Sequence, residues 1–192
     1  MITTHQPLTL AEYATFSDNT DRRYELVNGH LTPMPTESDL NDRIASFLYA
    51  YLLQRGIPWD HLSMKVQIAV SGKLASARQP DLTLLSEDAV MALKGAKHRL
   101  ITHEMPPPAL VVEVVSPQQQ DRDYRHKRTE YAGRQIPEYW IVDPIVQRVT
   151  LLTWVNGLYE EHIYVGPQPI QSPTLPNLTL TAAQVLLLDP EG

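Results

Sequence analysis

Apolar residues along this chain recur at two spacings, and each spacing predicts an element. Leu10, Tyr13 and Ala14 stand at helical intervals behind Thr9, a capping residue, so residues 8–16 read as a short helix. Residues 24–31 carry Asn28-Gly29 between two short apolar runs, the strongest local signal for a hairpin. Over 38–55, Leu40, Ile44, Phe47, Leu48, Tyr51 and Leu52 line one face of an amphipathic helix, which Gly56 and Pro58 end. Residues 61–70 alternate as a strand, Ser71-Gly72-Lys73 turns it, 79–85 return, and 87–97 read as another short helix. Pro106-Pro107-Pro108 delivers the chain into 109–115, apolar on both faces as a fully buried strand is. A helix is predicted over 118–135, stopped by Pro137, and a strand over 138–144. Two strands separated by one helix have the spacing of a βαβ crossover and are expected to be parallel. Asn156-Gly157 joins 149–154 to 158–165 as a second hairpin, and a short helix falls near 181–188. Together these predict one α/β (α+β-like) domain over residues 1–192, a mixed β-sheet flanked by helices with added N- and C-terminal hairpins.

Composition narrows the class. A chain of 192 residues, 43% hydrophobic and 20% charged, is long enough for a substantial core and too apolar for disorder. The absence of cysteine excludes a disulfide scaffold, a thiolate zinc site and a cysteine nucleophile. No apolar run approaches the ~18 residues of a membrane helix, and no basic segment followed by an apolar one opens the chain, so the expectation is a cytoplasmic protein without a membrane partner. The net charge of -6 gives no global attraction to nucleic acid, so such binding would need a local basic surface or a metal.

The chemistry starts at Glu113. It stands alone among Ala109, Leu110, Val111, Val112, Val114 and Val115, where an ionised carboxylate is costly unless a metal, a cation or strong donors compensate it. Asp81 lies in a similar setting, within Pro80-Asp81-Leu82-Thr83-Leu84-Leu85. Two carboxylates on adjoining strands make a hard, oxygen-rich site of the kind Mg²⁺ prefers. Each has a plain structural alternative: Glu113 in a buried pair with Lys127 or Arg128, and Asp81 as a strand-start residue. The histidines show no zinc-like spacing, and neither a Gly-rich phosphate loop nor a Gly-x-Ser-x-Gly elbow is present, so a zinc hydrolase, an NTPase and a serine hydrolase are not supported.

Four segments occur in a telling order: residues 23–29 (Arg-Tyr-Glu-Leu-Val-Asn-Gly), 79–82 (Gln-Pro-Asp-Leu), 112–117 (Val-Glu-Val-Val-Ser-Pro) and 136–144 (Ile-Pro-Glu-Tyr-Trp-Ile-Val-Asp-Pro). With them the chain resembles the PD-(D/E)XK nuclease superfamily, and within it the Uma-type family of putative restriction endonucleases, over a core of about residues 24–144. The resemblance implies a restriction-endonuclease-like fold and a metal-dependent endonuclease that hydrolyses DNA phosphodiester bonds. It implies that Asp81 and Glu113 hold Mg²⁺ (Mn²⁺ as a substitute), that the Val114 carbonyl supplies a further oxygen, and that Glu25 is an additional or water-mediated ligand. The superfamily lysine two residues after the Glu is Val115 here. Lys127, on the following helix and on one face with Tyr124 and Tyr131, is the replacement expected to stabilise developing charge or position the water. Gln67 is a further polar candidate. Glu25 on an exposed hairpin face and Lys127 as a snorkelling surface residue are the corresponding structural alternatives.

Duplex DNA is the implied partner and a homodimer the implied assembly. Arg122, Arg125, Lys127, Arg128 and Arg134 outnumber Asp121, Asp123 and Glu130, leaving +2 on that helix, and Lys94, Lys97, His98 and Arg99 form a second basic cluster. Either could guide phosphates. Two other readings stay open: a catalytically inactive nuclease-fold module for DNA binding or assembly, and a metal-dependent hydrolase of another phosphate ester.

Overall fold

The computed structural model describes residues 6–20, 22–34, 38–117 and 120–187. Helix α1 (Leu10–Ala14) precedes the hairpin β1 (Tyr24–Val27) and β2 (His30–Pro33), and helix α2 (Asp39–Gln54) follows. A 3-10 turn (Trp59–His61) leads into β3 (Leu62–Ser63), β4 (Gln67–Val70), β5 (Ser76–Arg78) and β6 (Leu82–Leu84). Helix α3 (Glu87–Leu93), β7 (Leu100–Ile101) and β8 (Leu110–Val114) come next, then a π turn (Arg122–Lys127) continuing into α4 (Arg128–Gly133). Strands β9 (Glu138–Asp143), β10 (Arg148–Val155) and β11 (Leu158–Val165) and helix α5 (Ala182–Val185) complete the order.

The expected single sheet is, among the described residues, two. One has the order β2-β1-β5-β4-β7, the other β11-β10-β9-β8-β6-β3. The reason lies in two short breaks. Residues 61–70 do not form one strand, because the Ser63 hydroxyl accepts from the Lys65 and Val66 N–H groups and turns the chain out of β3 before β4 begins. Residues 79–85 are cut down to β6 by Pro80, which lacks an N–H for a ladder. The chain therefore passes from one sheet to the other at Gln79-Pro80-Asp81, and Asp81 sits at that crossing. The C-terminal hairpin is no appendage, since β10 pairs with β9 and extends the second sheet.

Other expectations hold. Strand β8 pairs with β9 in parallel register, Glu113 opposite Ile141. Both Asn-Gly turns have positive φ at Asn28, Gly29, Asn156 and Gly157, the type I′ backbone that matches strand twist. Helix α3 stops short of residue 97 because Gly95 turns left-handed. Of the expected helix over 118–135, residues 118–119 lie outside the described residues, as does residue 188 of the last one.

Strand β8 is buried throughout. Leu110, Val112 and Val114 pack under α2 with Ile44, Leu48, Leu52 and Trp140. Val111 and Val115 join the opposite layer with Tyr131, Ile136, Tyr139 and Ile141. Side chains alternate along a strand, so Glu113 faces this second layer, beneath the helix that carries Lys127. The buried stripe of α2 is Asn41, Ile44, Ala45, Leu48 and Leu52, while Leu40 is exposed. Asn41 is the polar member of that stripe.

Candidate active site

Strands β6 and β8 are antiparallel, with Leu82 opposite Val112, so Asp81 and Glu113 stand beside one another at the same end of the pair. Asp81 Oδ2 accepts the Val114 N–H at 2.6 Å, which ties the Pro-Asp crossing to the strand bearing Glu113. Glu113 is 2% exposed. Its Oε1 accepts from the Tyr131 hydroxyl at 2.6 Å and its Oε2 lies 2.6 Å from Lys127 Nζ.

Lys127 is buried and is no snorkelling side chain. It ends the π turn, a helical irregularity common at functional sites, and reaches inward onto the strand. Its ammonium also lies 3.0 Å from Asp123 Oδ1, one turn earlier. That oxygen is held by the ion pair, with no aligned hydrogen bond among the described residues. Tyr131 shares the inward face with Lys127, as expected. The Tyr124 hydroxyl turns elsewhere, to Asp143 Oδ2 at 3.0 Å. Asp143 caps the turn after β9, its Oδ1 accepting from the Ile145 and Val146 N–H groups.

The Val114 carbonyl accepts from Asn41 Nδ2 at 3.1 Å, and the same amide reaches Ser116 Oγ at 3.0 Å. A carbonyl oxygen has two lone pairs, so this contact leaves it one acceptor position. The Asn41 side chain fixes the strand end where the acids lie.

Glu25 is fully buried, not on an exposed hairpin face. Its Oε2 pairs with Arg78 Nη1 at 3.0 Å and with Arg122, and its Oε1 accepts the Gln79 N–H at 3.2 Å. Arg78 in turn grips Glu130 with both prongs, at 2.7 and 2.6 Å. The two clusters sense each other: the Glu113 charge acts on Arg78, and the Arg122 charge acts on Lys127. Gln67 and Gln79 line a small polar cavity of about 230 Å³ beside this network.

Burial pushes the Glu113 carboxyl up to about 8; the Lys127 ammonium works against that shift, and the charges of Asp81 and Asp123 add to it. Burial alone would lower the Lys127 ammonium, but Glu113 and Asp123 outweigh it and the group is raised. The two directions are compatible. They belong to one buried pair, in which Lys127 lies 2.6 Å from Glu113 and 3.0 Å from Asp123. Counting the groups just described, five carboxylates (Asp81, Glu113, Asp123, Glu25, Glu130) face three cations (Lys127, Arg122, Arg78). With every carboxyl ionised, the surplus equals the charge of one divalent cation. Among the described residues no three His, Asp or Glu side chains converge as a ready-made metal cage. Asp81, Glu113 and the Val114 carbonyl share one strand end, and Asp123 is joined to Glu113 through the Lys127 ammonium.

Most basic residues of the helix are engaged within the chain. Arg128 pairs with Glu161 at 2.6 Å, Arg134 donates to the Thr102 carbonyl at 2.7 Å, and Arg122 and Lys127 serve the acids. Lys94, Lys97, His98 and Arg99 are exposed.

Sequence reasoning named Asp81, Glu113 and Lys127, which lie together, and passed over Asp123, Tyr131, Asn41 and Arg78 as parts of the network. Signals existed for the first three. Asp123 stands four before Lys127, Tyr131 four after it, and Asn41 interrupts an apolar stripe.

No helix among the described residues is long and apolar enough to cross a membrane. The model of the Uma2 family, described as putative restriction endonucleases, matches residues 10–183. A solved structure of a putative nuclease of the DUF820 group from Anabaena variabilis has a TM-score of 0.75 at 15% identity, covering 94% of this chain and 98% of that one. At that identity the likeness is one of fold. No curated protein matches.

Proposed function

Because the chain belongs to the Uma2 family of putative restriction endonucleases, we propose that it is a metal-dependent endonuclease that hydrolyses phosphodiester bonds of duplex DNA. Asp81 and Glu113 are its metal ligands, with Mg²⁺ the native ion and Mn²⁺ a substitute. One observation carries the reading: Lys127 Nζ lies 2.6 Å from Glu113 on the strand end that also holds Asp81. On this reading a lysine of the following helix takes over the role of the superfamily's strand lysine, and Val115 is core, fully buried in the layer under that helix.

The donor set fits a hard divalent ion, being all oxygen and carrying surplus negative charge. When bound, such an ion would acidify a water and neutralise charge on the phosphoryl oxygens. The chain supplies the rest. The Val114 N–H holds Asp81, the Tyr131 hydroxyl holds Glu113, and Asn41 fixes the Val114 carbonyl as a further ligand. Lys127 holds positive charge beside the acids, where it can orient a water or meet charge on the leaving oxygen. Glu25, its oxygens taken by Arg78, Arg122 and Gln79, contributes by positioning Arg122.

A second reading, a nuclease-fold module that binds without cutting, is favoured by Glu113 already having donors on both oxygens. Supercoiled plasmid separates the two. Nicked and then linear product with Mg²⁺ or Mn²⁺, and none with EDTA, is expected of the enzyme. Retarded but intact plasmid under all conditions would select the module, and cutting in EDTA would remove the metal from the mechanism.

The proposal includes a homodimer acting in the cytoplasm. Strand β11 is the sheet edge and exposes Leu158, Ile163 and Val165 together with one side of its backbone ladder. A second copy pairing there would cover both. A light-scattering mass near twice 21.8 kDa is expected, and a mass of one chain excludes it.

A further inference from the structure

A cavity of about 720 Å³ lies away from Glu113. It opens beside β3 and α3, with Leu62, Leu85, Val90 and Leu93 among its apolar lining. Trp59 stands at its rim, 75% exposed on the 3-10 turn, and Met91 is 59% exposed opposite. A tryptophan that open has not been placed there by core packing. Lys65, Lys94 and Arg99, all exposed, supply positive charge around the same cavity. They belong to a chain of net charge -6, and Lys94 and Arg99 form part of the basic cluster that no acid of the active-site network engages.

The cavity and the active site are joined through shared backbone. Met64 lines the cavity, and the Met64 carbonyl accepts from Gln79 Nε2 at 3.3 Å, two residues before Asp81. Arg99 lines it too, its carbonyl accepting the Gln67 N–H at 2.7 Å. Strand β6 connects the two places: Leu85 contributes to the cavity, and Asp81 lies about 13 Å away at ~3.3 Å per residue, a reach of a few nucleotides. The acids Asp60, directly after Trp59, and Glu87, with Oε2 3.6 Å from His61 Nε2, line the same cavity, so three cations stand against two acids around it.

We propose that this groove binds an unpaired DNA strand running on from the cleavage site, with a base stacked on Trp59 and its phosphates on Lys65 and Arg99. The inference rests on the endonuclease reading and narrows it to substrates with a single-stranded segment beside the scissile bond. An aromatic face and an apolar floor within a basic rim are what strands without base pairing use, because only an unpaired base offers its own face for stacking. A duplex hides its base faces in the stack and would leave the indole unused.

Fluorescence anisotropy of a labelled oligodeoxynucleotide, in EDTA so that nothing is cut, tests this. The expected order is single strand and single-strand–duplex junction bound more tightly than blunt duplex. Trp59→Ala should weaken the single strand about 5- to 100-fold, the range for loss of one base–aromatic stack, and Trp59→Phe should restore most of it. Lys65→Ala and Arg99→Ala should each lower the salt slope by about one. Because these side chains are exposed, the variants keep the fold, which circular dichroism checks. Equal affinity for blunt duplex, tighter binding of the RNA counterpart, or single-strand affinity unmoved by Trp59→Ala each overturns the proposal. Plasmid nicking run on the same preparations keeps the two readings apart. Trp59-dependent strand binding without nicking sinks the enzyme and leaves the groove; nicking with Trp59-independent binding does the reverse.

Discussion

Glu113→Gln is expected to lower metal-dependent nicking by about 10³-fold or more, because a metal contributes several kcal/mol of transition-state stabilisation and each 1.36 kcal/mol is tenfold in rate. The substitution keeps the shape and the acceptor for the Tyr131 hydroxyl, and Lys127 retains Asp123 as its counter-ion. The new amide NH2 faces the Lys127 ammonium where Oε2 stood, so a native circular dichroism spectrum and melting temperature are the control that makes the loss report ligation. Asp81→Asn should act in the same direction, since its remaining amide oxygen still accepts the Val114 N–H while its charge is gone. Lys127→Met probes a different link. If Lys127 acts on the reacting oxygens, nicking falls about 10²- to 10³-fold, the cost of deleting one preorganised donor. Mn²⁺ binding, read by calorimetry, should then persist in Lys127→Met and weaken in Glu113→Gln. Native nicking rates in Glu113→Gln would sink the proposed site. Loss of Mn²⁺ binding in Lys127→Met would make that lysine a scaffold for the acids and nothing more.

The parts of this arrangement that could be read from the sequence are those with a short-range physical signature. Asn28-Gly29 and Asn156-Gly157 announce hairpins because few other pairs tolerate positive φ twice. The parallel pairing of β8 with β9 follows from one helix-length crossover, and the isolation of Glu113 in an apolar strand marks it as compensated by something. What escaped depends on single hydrogen bonds between distant or irregular segments. One Ser63 hydroxyl decides that residues 61–70 split between two sheets, and a hydroxyl turn leaves no periodic trace. Glu25 was expected at the edge of a metal site, yet it lies among Arg78 and Arg122, whose chain positions are 53 and 97 residues away and carry no pairing signal. The basic helix read as a path for phosphates pairs most of its basic residues within the chain, because charge counts do not reveal which partners a side chain finds. The open cluster is the one around Arg99.

Arg78→Met is expected to destabilise the fold by about 3–5 kcal/mol, the cost of breaking a buried ion pair by removing one partner. Arg78 is 3% exposed and joins Glu25, fully buried, to Glu130. Methionine matches much of its volume, so packing loss is small and the effect isolates charge. Burial works against the guanidinium, but Glu130 outweighs it and holds the charged form above its ordinary range. Without it Glu130 loses a two-pronged donor in a place where water replaces it poorly. Arg122 still faces Glu25, which keeps the cost from rising beyond that range. At ~2–4 °C per kcal/mol for a chain of this size, the melting temperature should fall by roughly 6–20 °C. The control is Glu161→Ala. That side chain pairs with Arg128 at 2.6 Å, as short as the Arg78–Glu130 contact, yet it is 37% exposed. An exposed pair contributes about 0–1 kcal/mol, so Glu161→Ala should shift the melting temperature by no more than ~4 °C. Equal shifts for the two variants would mean that the Arg78 network is wetter than its burial indicates.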